Sequence, residues 1–139
     1  MSSSDHFNTD LTGTPTAEGR FVKVEDISPV AFVDGLDFRP VLAERTMVNF
    51  VHFDRNTEAP RHSHEEEQIV ILLEGEFEFD LDGDVRTVRP GEVVVVPAWV
   101  PHGAWTKDTT CLEVDVFNPP RKSLLEHAAA QIKKSEGNA

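Results

Sequence analysis

The sequence predicts an all-β domain, a sandwich or barrel of antiparallel strands with one short C-terminal helix. Three observations predict it. From Phe21 to Pro120 the chain is a succession of short apolar runs separated by turn residues, rich in Val, Phe and Thr and without a helical period. Only one later segment carries apolar residues at helical spacing. At 139 residues and 39% apolar, the chain encloses one modest core, about one domain.

The elements follow in order. Residues 1–19 are rich in Ser, Thr, Asp, Gly and Pro and read as a flexible N-terminal tail, with the domain expected over 20–135. Met47 to Phe53 is a strand with apolar residues on both faces. Ile69 to Leu73 is a continuous run expected of a strand buried on both sides. Glu76 to Leu81 alternates strictly, so Phe77, Phe79 and Leu81 share one face. Asp82-Gly83 makes a tight hairpin turn to a partner strand through Val85 and Val88. Pro90-Gly91 turns into Val93 to Val96, and a last long strand covers Thr110 to Phe117. The helix is expected to begin with Ser123 as its cap and Glu126 completing a capping box. Leu124, Leu125, Ala128 and Ile132 form its apolar stripe, and Lys133 and Lys134 suit its negative end. The total is seven to ten strands, with no internal repeat and with the helix on the outside of the β body.

Charge narrows the partners. Thirteen Lys and Arg stand against 25 Asp and Glu, a net charge of −12, and no run of Lys or Arg makes a basic patch. Such a chain repels phosphate backbones and anionic membranes, so neither nucleic acid nor membrane is an expected partner. The N-terminus has no basic or apolar stretch of a secretory signal, and no apolar run approaches the length of a membrane span. The single cysteine, Cys111, forms no internal disulfide framework and reads as a small buried residue. A cytoplasmic location is expected.

The chemistry concentrates between His62 and Gly75. His62 and His64 are two apart, which on a strand sets both imidazoles on one face. Two such imidazoles can bind one divalent metal but do not complete a site. His102, after Pro90-Gly91-Glu92, four valines and Pro97, is a candidate third ligand. His52 reads as an ordinary strand residue, and His6 and His127 as solvent-facing. Trp99 and Trp105 gate a cavity mouth or fill space, and no Ser or Cys stands beside a His as a covalent nucleophile.

These residues resemble the two motifs of the cupin family. His62, His64 and Gly75 fit the first, with Gln68 at the position of its Glu and Asn56 at its opening Gly. Gly91, Pro97 and His102 fit the second, with Trp99 replacing a Gly and Thr106 an Asn. The resemblance implies the cupin double-stranded β-helix, a jelly-roll barrel, holding one divalent metal ion (Ni, Zn, Fe or Mn) through His62, His64, Gln68 and His102. Glu65, Glu66 and Glu67 fall in the expected turn and miss the motif spacing. With Gln68 in place of a carboxylate, three neutral imidazoles and an amide oxygen leave the ion's full charge in place, which favours an anionic ligand.

The final segment, Asp115-Val116-Phe117-Asn118-Pro119-Pro120-Arg121, narrows the resemblance to small cupins of pectin and alginate breakdown. Those proteins linearise, or ketonise, unsaturated uronates, and the resemblance implies that Asp115, Phe117 and Arg121 line the active site. Asp115 would move protons, Arg121 would bind a carboxylate, and Phe117 would be an apolar wall. On the last strand Glu113, Asp115 and Phe117 share one face and Leu112, Val114 and Val116 the other, and parity does not decide which points inward. A metal-dependent isomerase-like or lyase-like enzyme on a small anionic substrate is the expected function. An iron-dependent cupin dioxygenase and a non-catalytic binding module are the alternatives. A homodimer is expected, because small cupins commonly pair and the two-faced Met47 to Phe53 run needs an outer cover.

Overall fold

In this computed structural model, residues 6–7 and 12–137 are described, with 132–137 described by backbone alone. Ten strands and a C-terminal helix follow a short 3-10 turn at Val24–Asp26. The strands are β1 (Val30–Ala31), β2 (Leu36–Leu42), β3 (Met47–Phe53), β4 (Glu58–His62), β5 (Glu67–Gly75), β6 (Phe77–Leu81), β7 (Asp84–Val88), β8 (Val93–Val96), β9 (His102–Trp105) and β10 (Cys111–Asn118), and the helix is α1 (Lys122–Gly137). They form a six-stranded sheet ordered β1-β2-β3-β10-β5-β8 and a four-stranded sheet ordered β4-β9-β6-β7. Every pairing is antiparallel. Strands distant in sequence are neighbours in space, as the expected jelly-roll barrel requires.

Alternation along each strand builds the core between the sheets. Val51 and Phe53 of β3, Val70 and Leu72 of β5, Phe77 and Phe79 of β6, and Val96 of β8 all point inward and are buried. The β6–β7 hairpin turns at Asp82 and Gly83, both at positive φ, as the Asp-Gly pair predicts. The run Ile69 to Leu73 departs from expectation. Only its inner side is fully buried, while Ile69 and Ile71 are half-buried and Leu73 is exposed. The physical reason is placement: α1 packs against β1, at the far edge of the same sheet, and does not cover β5.

The helix corrects two further expectations. It starts at Lys122, and the Arg121 carbonyl accepts from the Leu124 N–H at 3.1 Å, so Arg121 occupies the cap position and Ser123 lies inside the first turn. Pro119 and Pro120 end the strand pairing and launch the helix without a side-chain cap. As expected, the helix packs against the β body from outside the sheets, at edge strand β1, and its Leu124 and Ala128 are buried with the strand residues. His127, expected in solvent, is half-buried. Its Nε2 lies 2.8 Å from the Ala31 carbonyl, and its ring packs edge-on against Phe32. The Ile132, Lys133 and Lys134 side chains lie outside the described ones, as do residues 1–5 and 8–11 of the expected tail. Residues 12–19 are exposed and belong to no strand or helix, and Thr16 donates to the Glu44 carboxylate at 2.7 Å.

Candidate metal centre

Sheet pairing brings the histidines together. His62 ends β4 and His102 opens β9, and the two are direct cross-strand partners. Their ring centres are 4.3 Å apart. His64 lies not on the strand but in the loop just after it, held by a hydrogen bond from the Trp99 N–H to its carbonyl at 2.8 Å. Its ring centre stands 5.5 Å from that of His62 and 4.9 Å from that of His102. One ligand nitrogen from each histidine lies within 4.8 Å of the other two. Gln68 reaches the cluster from β5 of the opposite sheet, so the site is assembled across the barrel.

Every ring is oriented by the same device. Nδ1 of His62 lies 2.7 Å from the Pro60 carbonyl, Nδ1 of His64 3.0 Å from that of Glu66, and Nδ1 of His102 2.9 Å from that of Val100. A carbonyl only accepts, so each Nδ1 carries the proton and each Nε2 presents a lone pair. Burial lowers the pKa of all three histidines, that of His102 to about 4, so the rings are neutral and ready to ligate at neutral pH.

This donor set fits a metal cation. His102 Nε2 is buried without a hydrogen-bond partner. His64 Nε2 and Gln68 Oε1, both lone-pair atoms, face each other at 3.1 Å. Two acceptors in contact repel unless a cation lies between them, and adjacent ligands bound at about 2.1 Å to one ion stand ~3 Å apart. The Gln68 amide is held with Oε1 toward the histidines because its Nε2 donates to Asp115 Oδ1 at 2.8 Å. Of the acidic residues in the neighbouring turn, Glu65 and Glu67 are exposed. Glu66 is buried, with Oε1 3.5 Å from His64 Nδ1, the nitrogen turned away from the ligand position.

A cavity of about 360 Å³ adjoins the centre. Its polar lining includes His62, Gln68, His102, Asp115, Glu113 and Arg121, and its apolar wall includes Phe38, Phe53, Phe77 and Phe79. The parity of β10 is thus resolved: Glu113, Asp115 and Phe117 face inward. Burial raises the pKa of both carboxyls, and that of Glu113 further through the Asp115 charge. Glu113 keeps its proton and donates it to Asp115, which Gln68 and the Arg121 charge also favour as the anion. Arg121 lines the cavity with its Nε buried and unpartnered. Among the described residues, no carboxylate comes within 4.0 Å of its guanidinium.

Phe117 takes a different place from the expected wall. It is fully buried, packs edge-on against His64 at 5.7 Å and lies under the Arg121 guanidinium at 5.7 Å, and it is not among the residues lining the cavity. It supports His64 and the Arg121 guanidinium from behind, because its strand position faces Gln68 and the His64 loop. Asn49 and Glu113 are cavity residues that motif reading passed over. Their signal was a polar residue amid the apolar β3 run and the shared parity of Glu113 with Asp115.

Two antiparallel sheets packed as a jelly roll, with inward-facing histidines and an adjoining cavity, define the class: a jelly roll whose histidine triad could hold a metal ion. The family model of the cupin domain matches residues 49–117, and the chain is a small cupin-domain protein. Among solved structures it is similar to KdgF from a Halomonas species, at 29% identity and a TM-score of 0.73, over 77% of this chain and 99% of that one. An RmlC-like cupin from Shewanella frigidimarina is similar at 27% identity and a TM-score of 0.71, over 77% and 96% of the two chains. The polyketide cyclase RemF from Streptomyces resistomycificus shares the fold at 24% identity and a TM-score of 0.68, over 75% and 83%. No curated protein sequence matches the chain.

Proposed function

We propose that the protein is a metal-dependent enzyme that linearises, and so ketonises, a small unsaturated uronate. The observation that carries this reading is Arg121: a half-buried guanidinium with a buried, unpartnered Nε, lining the same cavity as His62, His102 and Asp115. A half-buried cation with no carboxylate partner among the described residues, beside a candidate metal centre, calls for an anionic substrate. The similarity to KdgF and the motif resemblance to uronate cupins support it.

The chain's own residues divide the work. Arg121 takes the substrate carboxylate and fixes the ring in the cavity. Phe117 holds the guanidinium in place from below. The apolar wall of Phe38, Phe53, Phe77 and Phe79 packs the ring face and excludes water. His62, His64, His102 and Gln68 would hold a divalent ion, which when bound would supply Lewis-acid polarisation of a substrate oxygen. The Asp115 carboxylate, kept anionic by hydrogen bonds from Glu113 and Gln68, accepts the hydroxyl proton as the ring opens and returns a proton to carbon as the enol becomes a ketone. Atoms balance, since the reaction is an isomerisation.

The test is to incubate metal-loaded protein with 4,5-unsaturated galacturonate or guluronate and follow loss of the conjugated chromophore against the spontaneous rate. Acceleration is expected. Arg121→Ala should raise KM with metal retained, and Asp115→Asn should lower kcat by ~10²–10⁴ with metal retained. Absence of acceleration with full metal loading would overturn the uronate reading. Oxygen consumption by an iron-loaded sample would put the dioxygenase in its place.

A further inference from the structure

Two buried oxygen atoms in the cavity take no part in the chemistry above, and one of them belongs to the carboxyl group that donates to Asp115. Asn49 is 2% exposed and Glu113 4%, and Asn49 Oδ1 and Glu113 Oε2 lack hydrogen-bond partners. Both residues line the same cavity as Arg121 and His62. They share the inner face of adjacent strands: Asn49 stands directly opposite Asp115, and Glu113 is the next inward residue along β10. Buried polar groups are paired in the great majority of cases, so two orphan acceptors on one patch imply donors that arrive with a ligand. The rest of the wall at this level is apolar, with Val51, Phe53 and Phe38. A ligand that fills the space must therefore present donors in one direction and hydrocarbon in the others, as a sugar ring does.

We propose that Asn49 and Glu113 form a hydroxyl-recognising subsite, which makes the protein selective for a polyhydroxylated acid over an acid of the same shape without hydroxyls. The inference rests on the uronate reading for the identity of the acid, and it adds the residues that read the hydroxyl pattern. Arg121 reads the carboxylate, and the Asn49–Glu113 patch reads hydroxyls beside Asp115. An acid lacking those hydroxyls would leave both acceptors buried and unpaired, which is how a polar site rejects an analogue.

The probes are D-galacturonate, a saturated uronate that does not react by this route, and oxane-2-carboxylate, which keeps the ring and carboxylate but lacks the hydroxyls. Binding of each to zinc- or nickel-loaded protein is measured by calorimetry. Wild type should bind galacturonate at least ~10-fold more tightly than oxane-2-carboxylate. Asn49→Leu should reduce that preference ~10-fold while leaving oxane-2-carboxylate affinity and metal content unchanged, and Glu113→Met should reduce it ~10-fold in protein confirmed to be metal-loaded. Glu113→Gln, which keeps a carbonyl oxygen and a donor toward Asp115, should retain the preference. Asn49→Ala serves as the second variant should the leucine fail to fold. Equal binding of the two acids by wild type, no binding of either, or undiminished preference in the Leu and Met variants would overturn the subsite. Turnover of unsaturated uronates with undiminished preference removes the subsite and keeps the function. Loss of preference in a protein that turns over no unsaturated uronate keeps the subsite and removes the function.

Discussion

Single residues show how the barrel holds polar chemistry inside an apolar body. Three rings are locked by three backbone carbonyls, so the ligand nitrogens are chosen before any ion arrives. The motif positions explain themselves in backbone terms. Asn56 and Trp99, which stand where the resembling motifs have Gly, adopt φ of 50° and 67°, the left-handed region that glycine enters most freely. Gln68 was legible as a ligand candidate only through the resemblance to the cupin motif, whose Glu position it occupies. Asn49 and Glu113 were not, because a cavity makes the inner face of a strand polar and so inverts the usual sign of the pattern. On β10 the outward residues are Leu112, Val114 and Val116, and the inward ones include two acids. Glu113 also carries a pH prediction. Its folded pKa is raised, so between the ordinary carboxylate value and the raised one the folded state binds more protons than the unfolded chain. Stability from this group is therefore full below about pH 4 and falls as pH rises. Glu113→Gln removes the titration, so its stability relative to wild type should increase from pH 5 to pH 8, read as the shift in urea midpoint at each pH. A constant difference across that range would contradict the assignment.

Elements, more than side chains, set where the site lies. Local alternation and turn chemistry made most strands legible, and the β6–β7 hairpin falls where Asp82-Gly83 placed it. What local pattern did not carry was packing between distant elements: that β5 has an open outer side, that α1 seals the edge at β1, and that Arg121 rather than Ser123 begins the helix. These depend on which strands become neighbours across the jelly roll, a global property. Gly75 marks such a junction. It sits at φ 75° at the end of β5, and a Cβ there would stand 1.9 Å from the Thr110 carbonyl oxygen. Gly83, at φ 93° in the hairpin, has nothing within 4 Å of the same position. Gly75→Ala should therefore cost about 3 kcal/mol or more, combining backbone strain with a clash against main chain, whereas Gly83→Ala should cost about 1 kcal/mol. Urea denaturation of both variants checks the contrast, and equal losses would contradict it.

At the scale of the whole molecule, the jelly roll presents an inner face that carries the histidine triad and buried acids and an outer face still rich in apolar side chains. Leu73, Val93 and Val95 are 44%, 53% and 57% exposed on neighbouring strands of the large sheet. The homodimer expected from the sequence covers the outer side of Met47 to Phe53; we propose instead that this more exposed surface of the same sheet carries it. Sedimentation equilibrium should then give twice the 15.5 kDa chain mass, and Val95→Lys should shift the protein toward monomer. A monomer at micromolar concentration, with or without the substitution, would contradict the expectation. The account as a whole turns on the ion at the meeting of the two sheets. Its most direct test is elemental analysis of the purified protein and of single histidine variants, with circular dichroism confirming the fold of each. One divalent ion per chain is predicted for wild type and for His52→Ala, whose ring lies on the outer side of β3, with near-complete loss for His62→Ala, His64→Ala and His102→Ala. A metal retained by His102→Ala, or lost by His52→Ala, would contradict the centre described here.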